Sequence, residues 1–138
     1  MNRAVLIVML LVAVTFGLMA NPAFATEPDW FVDASVPAGG DEDGSSWADA
    51  FADLQAALTA ARQSPSGGVI WVADGVYTPS NNDPDVSFEL VYNVAIYGGF
   101  QGNSRPGGGE SARSERDPSA YITTLSGNLG GAGHSQRV

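Results

Sequence analysis

The sequence predicts an all-β protein built as a solenoid, and three observations carry that expectation. Residues 69–100 break into short apolar runs separated by polar turns, the pattern of strands rather than of helices. Ile70, Ile96 and Ile122 are spaced by twenty-six positions, with Gly and Asn turns in each interval. A repeat of that length suits coils of short strands that stack in parallel. Gly, at seventeen of 138 residues, favours tight bends over long helices.

The strands are expected in order. Residues 30–33 (Trp-Phe-Val-Asp) form a first short strand, and residues 69–73 a continuous apolar one broken by Asp74-Gly75. Val76-Tyr77-Thr78 resumes before the turn formers of 79–84. Phe88, Leu90 and Tyr92 alternate with polar residues, the period of a half-buried strand. Residues 94–97 and 121–125 are further runs, closed by Gly98-Gly99 and Ser126-Gly127-Asn128. The last of them would present an open strand edge, and the exported chain is expected to self-associate.

One helix is expected, at about 46–62. Trp47, Phe51, Leu54, Leu58 and Ala61 recur at helical spacing and make one apolar stripe. Ser46 with Asp49 three residues on gives a short capping box, and Arg62 sits where a cation suits the helix dipole. Pro65 and Gly67-Gly68 end the run. On this stripe Trp47 and Phe51 read as core, not as ligand-stacking aromatics.

Residues 1–25 read as an export signal. Arg3 supplies the positive start, 4–20 are apolar apart from Thr15 and Gly17, and Ala23-Phe24-Ala25 is the small-x-small pattern of signal peptidase. Cleavage after Ala25 would release a secreted or cell-surface chain with no membrane span. The competing reading is an uncleaved anchor, for which the apolar run falls short of the roughly 20 residues a comfortable span needs.

The charge is lopsided. Fifteen acids face six bases, all Arg, and between residues 26 and 104 the single base Arg62 is set against twelve acids. Such a surface repels phosphate backbones, so no nucleic-acid partner is expected. The absence of Cys excludes disulfides, a thiol nucleophile and thiolate-held metal. Asp41-Glu42-Asp43-Gly44 opens like a calcium loop but lacks the further oxygen ligands of that motif, so neither a metal nor a cofactor site is expected. The three acids suit the positive end of the helix that follows. Arg105, Arg113 and Arg116 share a loop with Glu110, Glu115 and Asp117. They could take an anionic sugar, but pairing with those acids is the simpler expectation. His134 has no Ser, Cys or acid at a motif spacing. No catalytic residue is assigned, and the chain as it stands is not expected to be an enzyme.

The wording of several segments carries a resemblance. Phe31-Val32-Asp33 is followed by Asp43-Gly44-Ser45-Ser46-Trp47 and Phe51-Ala52-Asp53-Leu54-Gln55. Ile70-Trp71-Val72-Ala73-Asp74-Gly75-Val76-Tyr77 and Val94-Ala95-Ile96-Tyr97-Gly98-Gly99-Phe100 come next, then Arg116-Asp117 and Thr124-Leu125-Ser126-Gly127-Asn128. Over about residues 30–128 the chain resembles the N-terminal part of secreted bacterial right-handed parallel β-helix proteins of the pectate-lyase-like class. The loop at 103–109 is longer than the family's pattern, and Asn128 stands where an Asp is common. The resemblance implies a cap and first coils over 26–128, with the helix covering the first coil. Residues 129–138 then read as a disordered tail at a truncation point. The family's catalytic groups lie on later coils, so none is carried onto this chain.

The expected function is therefore that of a non-catalytic N-terminal portion of a secreted or surface protein, an adhesion or binding scaffold for polysaccharide or cell-surface components. The alternative is the N-terminal part of a polysaccharide lyase or glycoside hydrolase whose catalytic coils are absent. A small β-sandwich lectin is a third reading, disfavoured by the long interruptions at 79–84 and 101–120.

Overall fold

A computed structural model describes residues 27–37, 39–79, 83 and 85–127. The expected export signal, the tail at 129–138 and His134 lie outside the described residues. Among the described residues five strands and one helix follow in the order β1 (Trp30–Val32), α1 (Leu54–Arg62), β2 (Gly68–Ala73), β3 (Gly75–Tyr77), β4 (Val94–Phe100) and β5 (Thr123–Leu125). Two short 3-10 turns, Gly102–Ser104 and Arg113–Glu115, lie between β4 and β5.

β1, β2 and β4 make a parallel sheet in that order, and β3 pairs with β5 in a second, two-stranded parallel sheet. Side chains alternate across the first sheet as the pleat requires. Val32, Ile70 and Val72 point to one face and meet Leu54, Ala57, Leu58 and Ala61 of α1, with Trp30, Val94 and Ile96 partly buried beside them. Val69, Trp71 and Ala73 point the other way, to Trp47 and Phe100. That second face is an aromatic cluster: Trp71 stacks on Phe100 with centroids 4.7 Å apart, and Phe31 lies edge-on to Trp47 at 4.8 Å. β2 is apolar almost without a break because both faces are covered, as parallel strands usually are.

α1 is shorter than the sequence predicts. It begins at Leu54, and its cap is Asp53, whose side chain accepts the N–H of Gln55 at 2.7 Å. Ser46 and Asp49 do bond to each other, at 2.9 and 3.1 Å, but they close a local turn ahead of the helix. Phe51 makes a parallel bridge to Val32, and its N–H donates to the carbonyl of Phe31. Trp47 therefore packs on the sheet face opposite α1. Residues 44–51 close the outer edge of β1 instead of extending a helix. The three acids at 41–43 consequently sit in a loop, not at the positive end of α1: Asp43 accepts the N–H of Ser45 at 2.9 Å, and Asp49 accepts that of Asp41 at 3.3 Å.

The solenoid expectation is overturned. The chain forms a small α/β fold, with short parallel strands in two small sheets and one helix packed on a sheet face. The first twenty-six-residue interval does set strand register, since Ile70 lies beside Ile96. The second does not. The turn at 117–121 carries the chain off the first sheet, where the N–H of Asp117 donates to the carbonyl of Gly99 at 2.7 Å. β5 then pairs with β3, with Gly75 beside Thr123, and Ile122 is left 64% exposed. Residues 86–91 form no strand either: Phe88 and Val91 pack on the helix-side core, while Leu90 and Tyr92 are exposed. No helix among the described residues is long and apolar enough to cross a membrane.

Candidate functional site

The loop after β4 is held from within the protein by two buried carboxylates. Asp33 follows β1 directly, and Glu110 lies between the two 3-10 turns; both are buried. The Oε1 and Oε2 atoms of Glu110 accept the N–H groups of Gln101 at 2.8 Å and Gly102 at 3.1 Å. Asp33 Oδ2 accepts the next one, from Asn103, at 2.8 Å, while its Oδ1 accepts from Ser35 N and Oγ at 2.8 and 2.6 Å. Three successive backbone donors thus meet two acids. Burying a carboxylate is costly unless its oxygens are hydrogen-bonded, and here they are. Gly102 is required at the centre: its φ is +69°, and a Cβ there would lie 2.5 Å from Asp33 Oδ2. Trp47 Nε1 donates to the carbonyl of Glu110 at 2.9 Å, which ties the loop to the aromatic face.

That anchored loop carries three guanidinium groups, and they differ in how they are used. Arg105 binds Glu115 at 2.9 Å and approaches Glu110 at 3.9 Å. Glu115 also accepts the N–H groups of Ser111 and Ala112. The Arg105 guanidinium first, and those amides after it, hold the Glu115 carboxyl down to about 2. Arg113 and Arg116 have no carboxylate within ion-pair distance among the described residues. Both lie over Tyr97 of β4 instead, at 4.8 and 5.6 Å from the ring centroid. Arg113 donates to the Tyr97 hydroxyl at 3.0 Å, and Arg116 Nε to the carbonyl of Gly98 at 2.9 Å. Each contact fixes one end of a guanidinium and leaves further N–H donors for an acceptor. Two oriented, half-buried cations thus share one ring in a chain of net charge −9, with guanidinium N–H groups of the kind that suit an anionic acceptor.

The expected pairing of the three arginines with neighbouring acids holds for Arg105 alone. Trp47 is core, as expected, though on the face away from the helix. Among the described residues no three acid or His side chains converge to hold a metal ion. The polar core was not read from the sequence: Asp33, Glu110 and Tyr77 carry no local motif. Tyr77 donates to the carbonyl of Ala73 at 3.2 Å and accepts the N–H of Ala34 at 3.3 Å. Burial, with a smaller push from Asp33 and Asp74, raises its phenol to about 12 against the pull of the Ala34 amide. Trp71 Nε1 is buried without a partner among the described residues.

Fold and site together define a small α/β unit whose second aromatic face ends in an arginine-on-tyrosine contact. No family model matches the chain, and no curated protein and no solved structure matches it. Nothing in those comparisons identifies a pectate-lyase-like protein.

Proposed function

We propose that this chain is a non-catalytic binding portion of an exported protein, an adhesion scaffold whose contact for acidic surface polysaccharide is Arg113 and Arg116 on Tyr97. The observation that carries this reading is that both guanidiniums are oriented on one ring without an acidic partner among the described residues. Guanidinium forks match carboxylate geometry, and anchoring on a tyrosine lowers the entropy lost when a ligand is bound. The export signal expected from residues 1–25 agrees with this setting. The two buried acids, Asp33 and Glu110, accept backbone amides and serve as anchors of the loop.

Passing the exported chain over immobilised polygalacturonate and over neutral dextran tests the reading. Retention on the first alone, with no release of shortened polymer, is the expected result. Retention on neither, or cleavage of the polymer, contradicts it.

A further inference from the structure

Arg113 and Arg116 reach the same ring because a single 3-10 turn, Arg113–Glu115, lies between them. Side chains three residues apart eclipse in such a turn, so both leave it on one side and meet Tyr97. One turn fixes several dihedral angles for very few bonds, so its own bonds do not hold it. Here they are Glu115 N–H to the carbonyl of Ala112 at 3.0 Å and Arg116 N–H to that of Arg113 at 3.4 Å. What holds the turn is its attachment, and the two ends are attached differently. The C-terminal end is tied to β4: Arg116 Nε donates to the carbonyl of Gly98 at 2.9 Å, and Asp117 N–H to that of Gly99 at 2.7 Å. The N-terminal end is held by Glu115 reaching back. Its Oε2 accepts the N–H of Ser111 at 2.8 Å, that of Ala112 at 3.0 Å and the Ser111 hydroxyl at 3.3 Å. Its Oε1 is left for Arg105, at 2.9 Å. This backward reach is the half of a capping box that a Glu or Gln supplies. Ala112 has no side-chain acceptor to supply the other half.

We propose that Glu115 is a positioning residue for the arginine contact: by holding the amides of Ser111 and Ala112 it sets where Arg113 leaves the chain, and so seats that guanidinium on Tyr97. Arg116 has its own bond to Gly98 and depends on Glu115 less. The property that matters is the reach of Oε2 to two amides, more than the charge. The ion pair with Arg105 uses the other oxygen between two partly exposed side chains, and such surface pairs contribute little. Removing Arg105 therefore leaves the turn capped, whereas shortening Glu115 does not. A guanidinium seated in advance loses less freedom when it meets an anion. The inference rests on the proposed function in one respect, that Arg113 and Arg116 on Tyr97 are the contact for the polymer.

Two substitutions separate reach from charge. Glu115→Asp keeps the charge and withdraws the oxygens from the amides by one methylene; Glu115→Gln keeps the reach and removes the charge. The readout is the NMR shift of the Arg113 and Arg116 δ-methylene protons, which the ring current of Tyr97 displaces upfield; Tyr97→Leu supplies the undisplaced reference. In Glu115→Asp the Arg113 protons should fall back toward that reference, those of Arg116 should fall back less, and Glu115→Gln should stay near the parent. The dissociation constant for polygalacturonate should rise by about threefold or more in Glu115→Asp, as one pre-oriented contact is loosened, and not in Glu115→Gln. The inference is overturned by parent Arg113 protons already at the reference values, by an unmoved Arg113 in Glu115→Asp, by equal loss at Arg113 and Arg116, or by equal displacement in Glu115→Gln. The shifts need no polymer, which separates the two proposals. A parent with displaced Arg113 protons that does not bind polygalacturonate removes the polysaccharide reading alone. A parent that binds it, with Arg113 unmoved in Glu115→Asp, removes the positioning role alone.

Discussion

The Oδ2 atom of Asp33 accepts the backbone N–H of Asn103 at 2.8 Å and joins positions seventy residues apart. With Glu110 it fixes the turn from which the arginine loop departs. The order of events runs from sequence to site: β1 delivers Asp33, β4 delivers Gly102, and the loop closes on both.

Asp33→Ala should therefore cost about 3 kcal/mol, because it strands Asn103 N–H and the Ser35 donors in a partly buried place. Urea unfolding of the parent and variant measures it. A loss below about 1 kcal/mol would mean that water replaces the carboxylate without strain.

Leu54 and Asp53 separate packing from capping at the start of α1. Leu54→Asp places a charge at a fully buried position against the sheet and should cost several kcal/mol. Asp53→Ala removes the bond to Gln55 N and should cost about 1 kcal/mol. Thermal melts followed by circular dichroism compare the two. Equal effects would show that the helix does not rest on the sheet through Leu54.

Glu115 reports on the loop through pH. Its folded value, about 2, lies below the ordinary 4.5. The stability it contributes is full above that ordinary value and is lost as pH falls through the window toward about 2. A carboxyl-carbon NMR titration should give a midpoint near 2 in the parent chain. In Arg105→Ala, which removes the largest cause, the midpoint should rise toward 4.5. A midpoint near 4.5 with Arg105 present would show that the 2.9 Å pair does not persist in solution.

Much of the local structure was legible in the sequence, and less of its assembly. The runs at 30–33, 69–73 and 94–97 hold β1, β2 and β4, although Asp33 falls just past the end of β1, and one twenty-six-residue interval sets register. The next interval misled because β-branched residues at 122–125 suit any parallel edge, and spacing alone does not say which sheet supplies it. Here β3 did, and the fold is α/β with two small sheets. Trp47 and Phe51 fall at helical spacing, yet one fills the far sheet face and the other bridges to β1. An apolar period of 3.6 does not distinguish a helix turn from a loop that alternates between two cores. Asp33 and Glu110 were invisible because a lone acid in a loop carries no pattern until its distant amide partners arrive. The arginine cluster was visible as a group. That Arg105 takes Glu115, leaving Arg113 and Arg116 to Tyr97, depends on a loop closure that residue spacing does not encode.

The affinity of the protein for polygalacturonate, compared between Arg113→Ala/Arg116→Ala and Arg105→Ala, tests the central claim most directly. Two charge-assisted contacts are lost in the first protein, so the dissociation constant should rise by about tenfold or more. Arg105 is already engaged by Glu115 and Glu110, and its removal should change the constant by less than about threefold. Equal weakening by both, or none by the double variant, would contradict the assignment of Tyr97, Arg113 and Arg116 as the binding contact.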